Sequence, residues 1–178
     1  MDHADHVRLI RLGVQGAGRR WLEIGSGQGA FTLALADLLG PGASILASDR
    51  DPHSLRAATA AVERRFAETR LETRVFNFTD VIPDGPFDGV LAANALHFVA
   101  SRDPTLRAIR FSLVPGGRLV IVEYDSDRGN PWVPHPFSFE TWRMEATQAG
   151  YQEPREIGRV PSRFLGAMYA AVAEVPRP

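Results

Sequence analysis

From residue 21 to about residue 150, short apolar runs alternate with stretches whose apolar residues recur at helical spacing. Trp21-Leu22-Glu23-Ile24 reads as a short strand running into the turn Gly25-Ser26-Gly27-Gln28-Gly29. Phe31, Leu35, Leu38 and Leu39 then share one helical face, and Gly40-Pro41-Gly42 stops that helix. Ala43 to Ser48 is a second strand. Asp51-Pro52 supplies an N-cap and an N1 proline to a helix with Leu55, Thr59, Val62 and Phe66 on one side. Thr73 to Phe76 is a third strand. Phe87 to Ala93 is a fourth, and its almost continuous apolar run suits a strand covered on both faces. Asp103-Pro104 caps a helix that turns Leu106, Ile109 and Leu113 inward, and Pro115-Gly116-Gly117 leads into a fifth strand, Arg118 to Tyr124. Strands alternating with helices predict a parallel sheet with right-handed crossovers. The link at about residues 77–86 is short for such a crossover, so a single degenerate helical turn is expected there.

Beyond the fifth strand the pattern changes. Residues 125–137 are rich in proline and turn formers and predict a long ordered flap. Ser138 caps a helix to about Ala149, which Gly150 ends. Two extended segments follow, roughly 152–158 and 166–173, separated by Arg159-Val160-Pro161-Ser162-Arg163. With no helix between them they form an antiparallel hairpin. The expected architecture is one doubly wound, Rossmann-like α/β domain over residues 1–178. It has a mostly parallel seven-stranded sheet, helices on both faces, a C-terminal antiparallel hairpin strand and a short N-terminal helical segment at 1–20.

Composition narrows the chemistry. The 178 residues are 44% hydrophobic and 23% charged, the profile of a globular chain. Net charge is −1, and apart from Arg19-Arg20 and Arg64-Arg65 the basic residues are scattered, which argues against a nucleic-acid partner. With no cysteine there are no disulfides, thiolate nucleophiles or Cys-ligated metals. All 20 basic residues are arginine, which excludes Schiff-base and P-loop lysine chemistry. The histidines lack metal-ligand spacing, so no metal site is expected. No apolar stretch approaches the length of a membrane span and no secretory leader pattern opens the chain, so a cytoplasmic protein without a membrane partner is expected.

Ligands of open doubly wound sheets bind at the carboxyl ends of the strands, where the strand order reverses. The glycine turn after the first strand can pass close beneath a ligand and aim N–H groups at it. Asp49 lies 24 residues beyond Gly25, where a carboxylate accepts both hydroxyls of a ribose. Asn77 and Phe78 offer an amide edge and an apolar face to a purine, and Ala92, Asn94 and His97 follow the fourth strand. The turn alone fits more than one reading. Gly25-x-Gly27-x-x-Ala30 satisfies a dinucleotide fingerprint as well as an acid-x-Gly-x-Gly-x-Gly pattern, and a glycine turn can also serve tight packing alone.

Taken together, Leu22-Glu23-Ile24-Gly25-Ser26-Gly27-Gln28-Gly29, Ser48-Asp49-Arg50, Phe87-Asp88-Gly89-Val90, Asn94-Ala95-Leu96-His97-Phe98 and Leu113-Val114-Pro115-Gly116-Gly117-Arg118-Leu119 resemble the class I S-adenosylmethionine-dependent methyltransferases. Within that family the chain is similar to the small-molecule group related to quinone-biosynthesis C-methyltransferases. The resemblance spans roughly residues 20–174, the reversed strand of the C-terminal hairpin included. It implies S-adenosyl-L-methionine as cofactor and a role for each matching position. Glu23 would help hold the methionine ammonium. Gly25, Ser26, Gly27 and Gly29 would line the methionine and ribose. Asp49 would take the ribose hydroxyls with Arg50 beside the adenine. Asn77 and Phe78 would border the adenine, and Ala92 and Asn94 the methionyl end. The family often has an acidic residue where Asn77 stands here.

Methyl transfer from a sulfonium is an in-line displacement, so a general base is needed only if the acceptor must lose a proton. His97, Glu123 and Tyr124 are the candidates; His97 could equally be structural, and Glu123 and Tyr124 could instead bond the following loop. His135 in the flap reads as exposed. Trp132, Phe137 and Trp142 either cover an apolar substrate or anchor the flap. Family members acting on nucleic acids carry Asn/Asp-Pro-Pro-aromatic after strand four. Asn94-Ala95-Leu96-His97 differs, implying a small-molecule acceptor. The short segment before the first strand implies an acceptor pocket that is open, closed by residues 125–137, or completed in a homodimer. Two other functions fit the same crevice: a binding module without chemistry, acting as a sensor or subunit, and a nicotinamide-dependent reductase, which the chain length disfavours.

Overall fold

The computed structural model describes residues 1–178. Its strands are β1 (Arg20–Ile24), β2 (Ser44–Asp49), β3 (Arg70–Val75), β4 (Phe87–Ala93), β5 (Leu113–Tyr124), β6 (Gln152–Ser162) and β7 (Gly166–Glu174). They form one sheet in the order β3-β2-β1-β4-β5-β7-β6. β1 to β5 run parallel, β7 is antiparallel to β5, and β6 pairs antiparallel with β7. The helices are α1 (His3–Val14), α2 (Ala30–Leu39), α3 (Pro52–Arg65), α4 (Asp103–Ser112) and α5 (Phe139–Gln148). This is the architecture expected from the apolar pattern. No helix is long and apolar enough to cross a membrane.

Period-two alternation sends successive side chains of each inner strand to opposite faces of the sheet. Leu22, Ile24, Val90, Leu119 and Ile121 meet α4 and α5 through Leu106, Ile109 and Trp142 on one face. Trp21, Ile45, Leu91, Val120 and Val122 meet α1 and α2 through Ile10, Phe31 and Leu35 on the other. The central strands are therefore buried twice over, which explains their continuous apolar runs.

Four details differ from the sequence reading. β3 starts at Arg70 and ends at Val75, because an exposed strand carries too few apolar residues to mark its limits. β5 begins at Leu113 rather than Arg118, because Pro115-Gly116-Gly117 are taken into the strand, while the 77–86 link holds the single turn expected, closed by Asp80 and Val81 N–H on the Asn77 carbonyl. Arg102, not Asp103, is the N-cap of α4, and its side chain caps nothing there. β6 continues to Ser162, leaving a tight turn before β7.

Candidate functional site

A cavity of about 410 Å³ opens at the carboxyl ends of β1 to β4, on both sides of the point where the strand order reverses. Gly25 from the β1 turn, Asp49 and Arg50 from the end of β2, and Asn77 and Phe78 from beyond β3 line it, together with Asn94 after β4. The sequence reading missed Phe76, Thr79, Ala95 and Phe98. Phe76 enters the cavity because β3 stops one residue sooner than expected. Phe98 was readable as an apolar residue in the turn after the fourth strand, where it is 56% exposed.

The glycine turn is built for close approach. Gly25 sits at φ +68, and a Cβ there would lie 2.8 Å from that of Ala95. Asp49 ties the turn to β2: its Oδ2 accepts the Gly27 N–H at 2.8 Å and its Oδ1 the Asp51 N–H at 2.9 Å. Gly29 caps α2 with φ +89, and a Cβ on it would fall 2.7 Å from the Ala58 Cβ. Its place is therefore explained by α2–α3 packing, and it does not line the cavity. Gly27, Ser26, Glu23 and Ala92 do not line it either.

Glu23 is buried at the end of β1, and burial, with Asp49 nearby, pushes its carboxyl from the usual 4.5 up to about 8. The Glu23 Oε2, Ser26 Oγ and Asn94 Oδ1 atoms are buried without hydrogen-bond partners. Asn94 holds φ +53, a left-handed conformation rare outside glycine, at the turn where β4 leaves the sheet. Of these residues only Asn94 lines the cavity, where an orphaned acceptor suits a ligand that brings a donor. The Asn77 Oδ1 accepts the Thr79 N–H at 3.2 Å, which leaves its amide group for a ligand edge.

His97 and Glu123 are brought together. His97 Nδ1 lies 2.7 Å from Glu123 Oε2, and both side chains are buried. The other carboxylate oxygen, Oε1, accepts the N–H groups of Ala95, Leu96 and His97 at 3.1, 2.8 and 3.3 Å. Glu123 thus holds the 3-10 turn Leu96–Phe98 and the histidine in one grip. Neither side chain lines the cavity, but both stand directly behind Ala95 and Phe98, which do. The His97 ring packs on Phe98 at 4.3 Å and on Tyr124 at 5.8 Å, and Tyr124 in turn meets Phe164 at 6.1 Å. Burial and the Glu123 charge push the Tyr124 hydroxyl above its ordinary range.

The 125–137 flap is firmly anchored. Asp125 and Asp127 accept the N–H groups of Phe139 and Ser138 at the start of α5, and His135 N–H donates to the His97 carbonyl at 3.0 Å. Arg102 makes a bidentate pair with Glu145, donates to the Val99 and His135 carbonyls, and lies 4.2 Å from the Phe137 ring centroid. Phe137 and Trp142 are fully buried anchors, whereas Trp132 is 75% exposed and His135 is exposed.

An open sheet with a reversed last strand and a crevice at the switch point defines a doubly wound, ligand-binding fold, and comparison with known proteins is specific about which. Residues 22–119 match the methyltransferase domain family, and the chain belongs to it. The chain is 35% identical over 122 residues to demethylmenaquinone methyltransferase of Thermus thermophilus, an alignment covering 66% of this chain and 52% of that protein. It is 27% identical to the ubiquinone/menaquinone biosynthesis C-methyltransferase UbiE of Pasteurella multocida, covering 60% and 40%. The chain therefore spans about half the length of these curated relatives. Among solved structures, the YcgJ protein of Bacillus subtilis superposes with a TM-score of 0.76 at 13% identity, over 99% of this chain and 100% of that one. A SAM-dependent methyltransferase of Methanosarcina mazei gives 0.72 at 18% identity, covering 95% and 98%.

Proposed function

We propose that the chain transfers a methyl group from S-adenosyl-L-methionine to a small-molecule acceptor, with His97 as the base that takes the acceptor's proton. The observation that carries this reading is the placement of Asp49. Its carboxylate stands at the cavity wall beside the glycine turn, positioned for a pair of ribose hydroxyls. The cofactor fits the residues present. Asp49 would hold its ribose, Arg50, Asn77 and Phe78 its adenine, and Asn94 its methionyl end. When bound, the cofactor supplies an electrophilic methyl on a sulfonium that leaves as a neutral thioether.

The protein's own contribution is orientation and a place for a proton. The 2.7 Å contact engages His97 Nδ1 with the Glu123 carboxyl group and leaves Nε2 as the ring nitrogen available to accept. Glu123 acts through His97 and is a positioning residue, while Phe98, Tyr124 and Phe164 give the surroundings an apolar character suited to a carbon-rich acceptor. Scattered arginines and the Asn94-Ala95-Leu96-His97 turn support a small molecule over a nucleic acid.

Calorimetry with S-adenosylhomocysteine and with NADH in parallel tests the assignment. Binding of the first and not the second is expected, followed by turnover of S-adenosylmethionine across a panel of low-molecular-weight acceptors. Preference for NADH would overturn the cofactor assignment, and tight binding with no turnover on any acceptor or extract would leave a binding module.

A further inference from the structure

We propose that β3 is a self-association edge, on which two copies of the chain pair antiparallel about Thr73 and join their sheets into one. The two edges of the sheet differ in kind. β6 carries Pro154 and Pro161 and breaks register between Gln152 and Arg155 and between Glu156 and Gly158. Prolines and bulges are the devices that stop a strand from recruiting another. β3 has neither, and its register with β2 runs unbroken from Ser44–Arg70 to Asp49–Val75.

The backbone dictates which groups are free. The N–H groups of Arg70 and Phe76 donate to Ala43 and Asp49, so the even-numbered residues turn toward β2. Alternation then turns the N–H and C=O of Leu71, Thr73 and Val75 outward. Antiparallel pairing about Thr73 sets Thr73 against its own copy and Leu71 against Val75, each pair exchanging two hydrogen bonds.

Side chains select the same register. Pairing about Thr73 sets Glu72 opposite Arg74 of the second copy, twice by symmetry. Within one chain this pair now closes only on itself, at 2.7 Å and half exposed. Centring instead on Glu72 would oppose Arg70 and Arg74, and centring on Arg74 would oppose that arginine to itself; like charges directly across a ladder are destabilising. On the other face, Val75 is 58% exposed in the single chain and would be covered beside Leu71 of the copy.

The helix above β3 agrees. Ala58 packs on Gly29 and so marks the side of α3 that faces α2. Helical spacing places Arg56 and Glu63 on the opposite side, toward the free edge. The two-fold that pairs the strands also runs α3 antiparallel to its copy, with Arg56 approaching Glu63.

Sedimentation equilibrium up to about 100 μM tests the proposal. The unmodified chain is expected to form a dimer, and Glu72→Arg and Arg74→Glu are each expected to weaken it at least about tenfold. Mixing the two variants should restore a heterodimer, because each then opposes the other's charges. Thr73→Pro, which removes an outward N–H and none that is donated to β2, should give a folded monomer. Amide exchange at Leu71, Thr73 and Val75 should slow in the dimer and quicken on dilution. A monomeric unmodified chain at that concentration would overturn the proposal, as would a dimer indifferent to both charge variants or a mixture that stays monomeric. None of these readouts depends on methyl transfer.

Discussion

Glu123 shows how much one buried carboxylate can organise. It closes the turn after β4 with three backbone N–H groups and orients His97 with its remaining oxygen. Glu123→Gln keeps an acceptor for the turn but presents an amide N–H to Nδ1, which drives the ring proton to Nε2. The expected result is a fall in kcat of about 10²–10⁴ with S-adenosylhomocysteine affinity unchanged, read by turnover and calorimetry on the same preparation. Asp49→Ala should do the reverse, costing cofactor binding about 1–3 kcal/mol by loss of charge-assisted hydrogen bonds; unaltered affinity in calorimetry would mean that the ribose lies elsewhere. Glu23 carries a pH signature. Folded, it keeps its proton up to about pH 8, whereas the unfolded chain releases it near its ordinary value of 4.5. The folded state binds the extra proton between those limits, so the contribution of Glu23 to stability is fully present below about 4.5 and is lost as pH rises toward 8. Urea unfolding at pH 5 and pH 8 measures this, and Glu23→Gln should flatten the difference. Topology made Gly25, Asp49, Asn77, Phe78 and Asn94 readable as cavity residues, and the family resemblance added Arg50. The reach of Glu123 to residues 26 to 28 positions away was not readable, because no local pattern encodes a contact between two strands' ends.

At the scale of elements, the flap depends on one arginine. Arg102 joins α4 to α5 through Glu145 and holds the backbone carbonyls of Val99 and His135, so it links the turn after β4 to the 125–137 segment. Arg102→Ala would strand those partners in a largely buried setting and is expected to cost roughly 2–4 kcal/mol. Thermal unfolding measures the loss, and proteolysis should cut first within 125–137. The prolines and turn formers announced the flap, and Ser138 announced α5, whose first turn it caps through the Thr141 N–H. What holds the flap down was hidden, since an arginine lying on Phe137 looks like any surface charge in sequence. β3 and β6 were misjudged at their ends for a related reason: both lie at sheet edges, where side chains alternate weakly between two partly wet faces.

At the scale of the molecule, two apolar layers share one sheet, with Trp21 in the layer beneath α1 and α2 and Trp142 in the layer beneath α4 and α5. Common strands leave neither layer able to open alone, and a single cooperative transition follows. With exposed Trp132 replaced by Phe, the fluorescence of each buried tryptophan, isolated in turn, should share its midpoint with far-UV circular dichroism; separate midpoints would show two independent units. The alternation of strand and helix made this layered plan legible, because doubly covered strands read as near-continuous apolar runs. One consequence concerns the way a guest arrives. The Gly27 amide is already tethered to Asp49, so the glycine turn has surrendered its freedom beforehand. Occupancy then demands little ordering of the host, and association kinetics should show one phase, linear in concentration, without the saturating rate of a slow rearrangement.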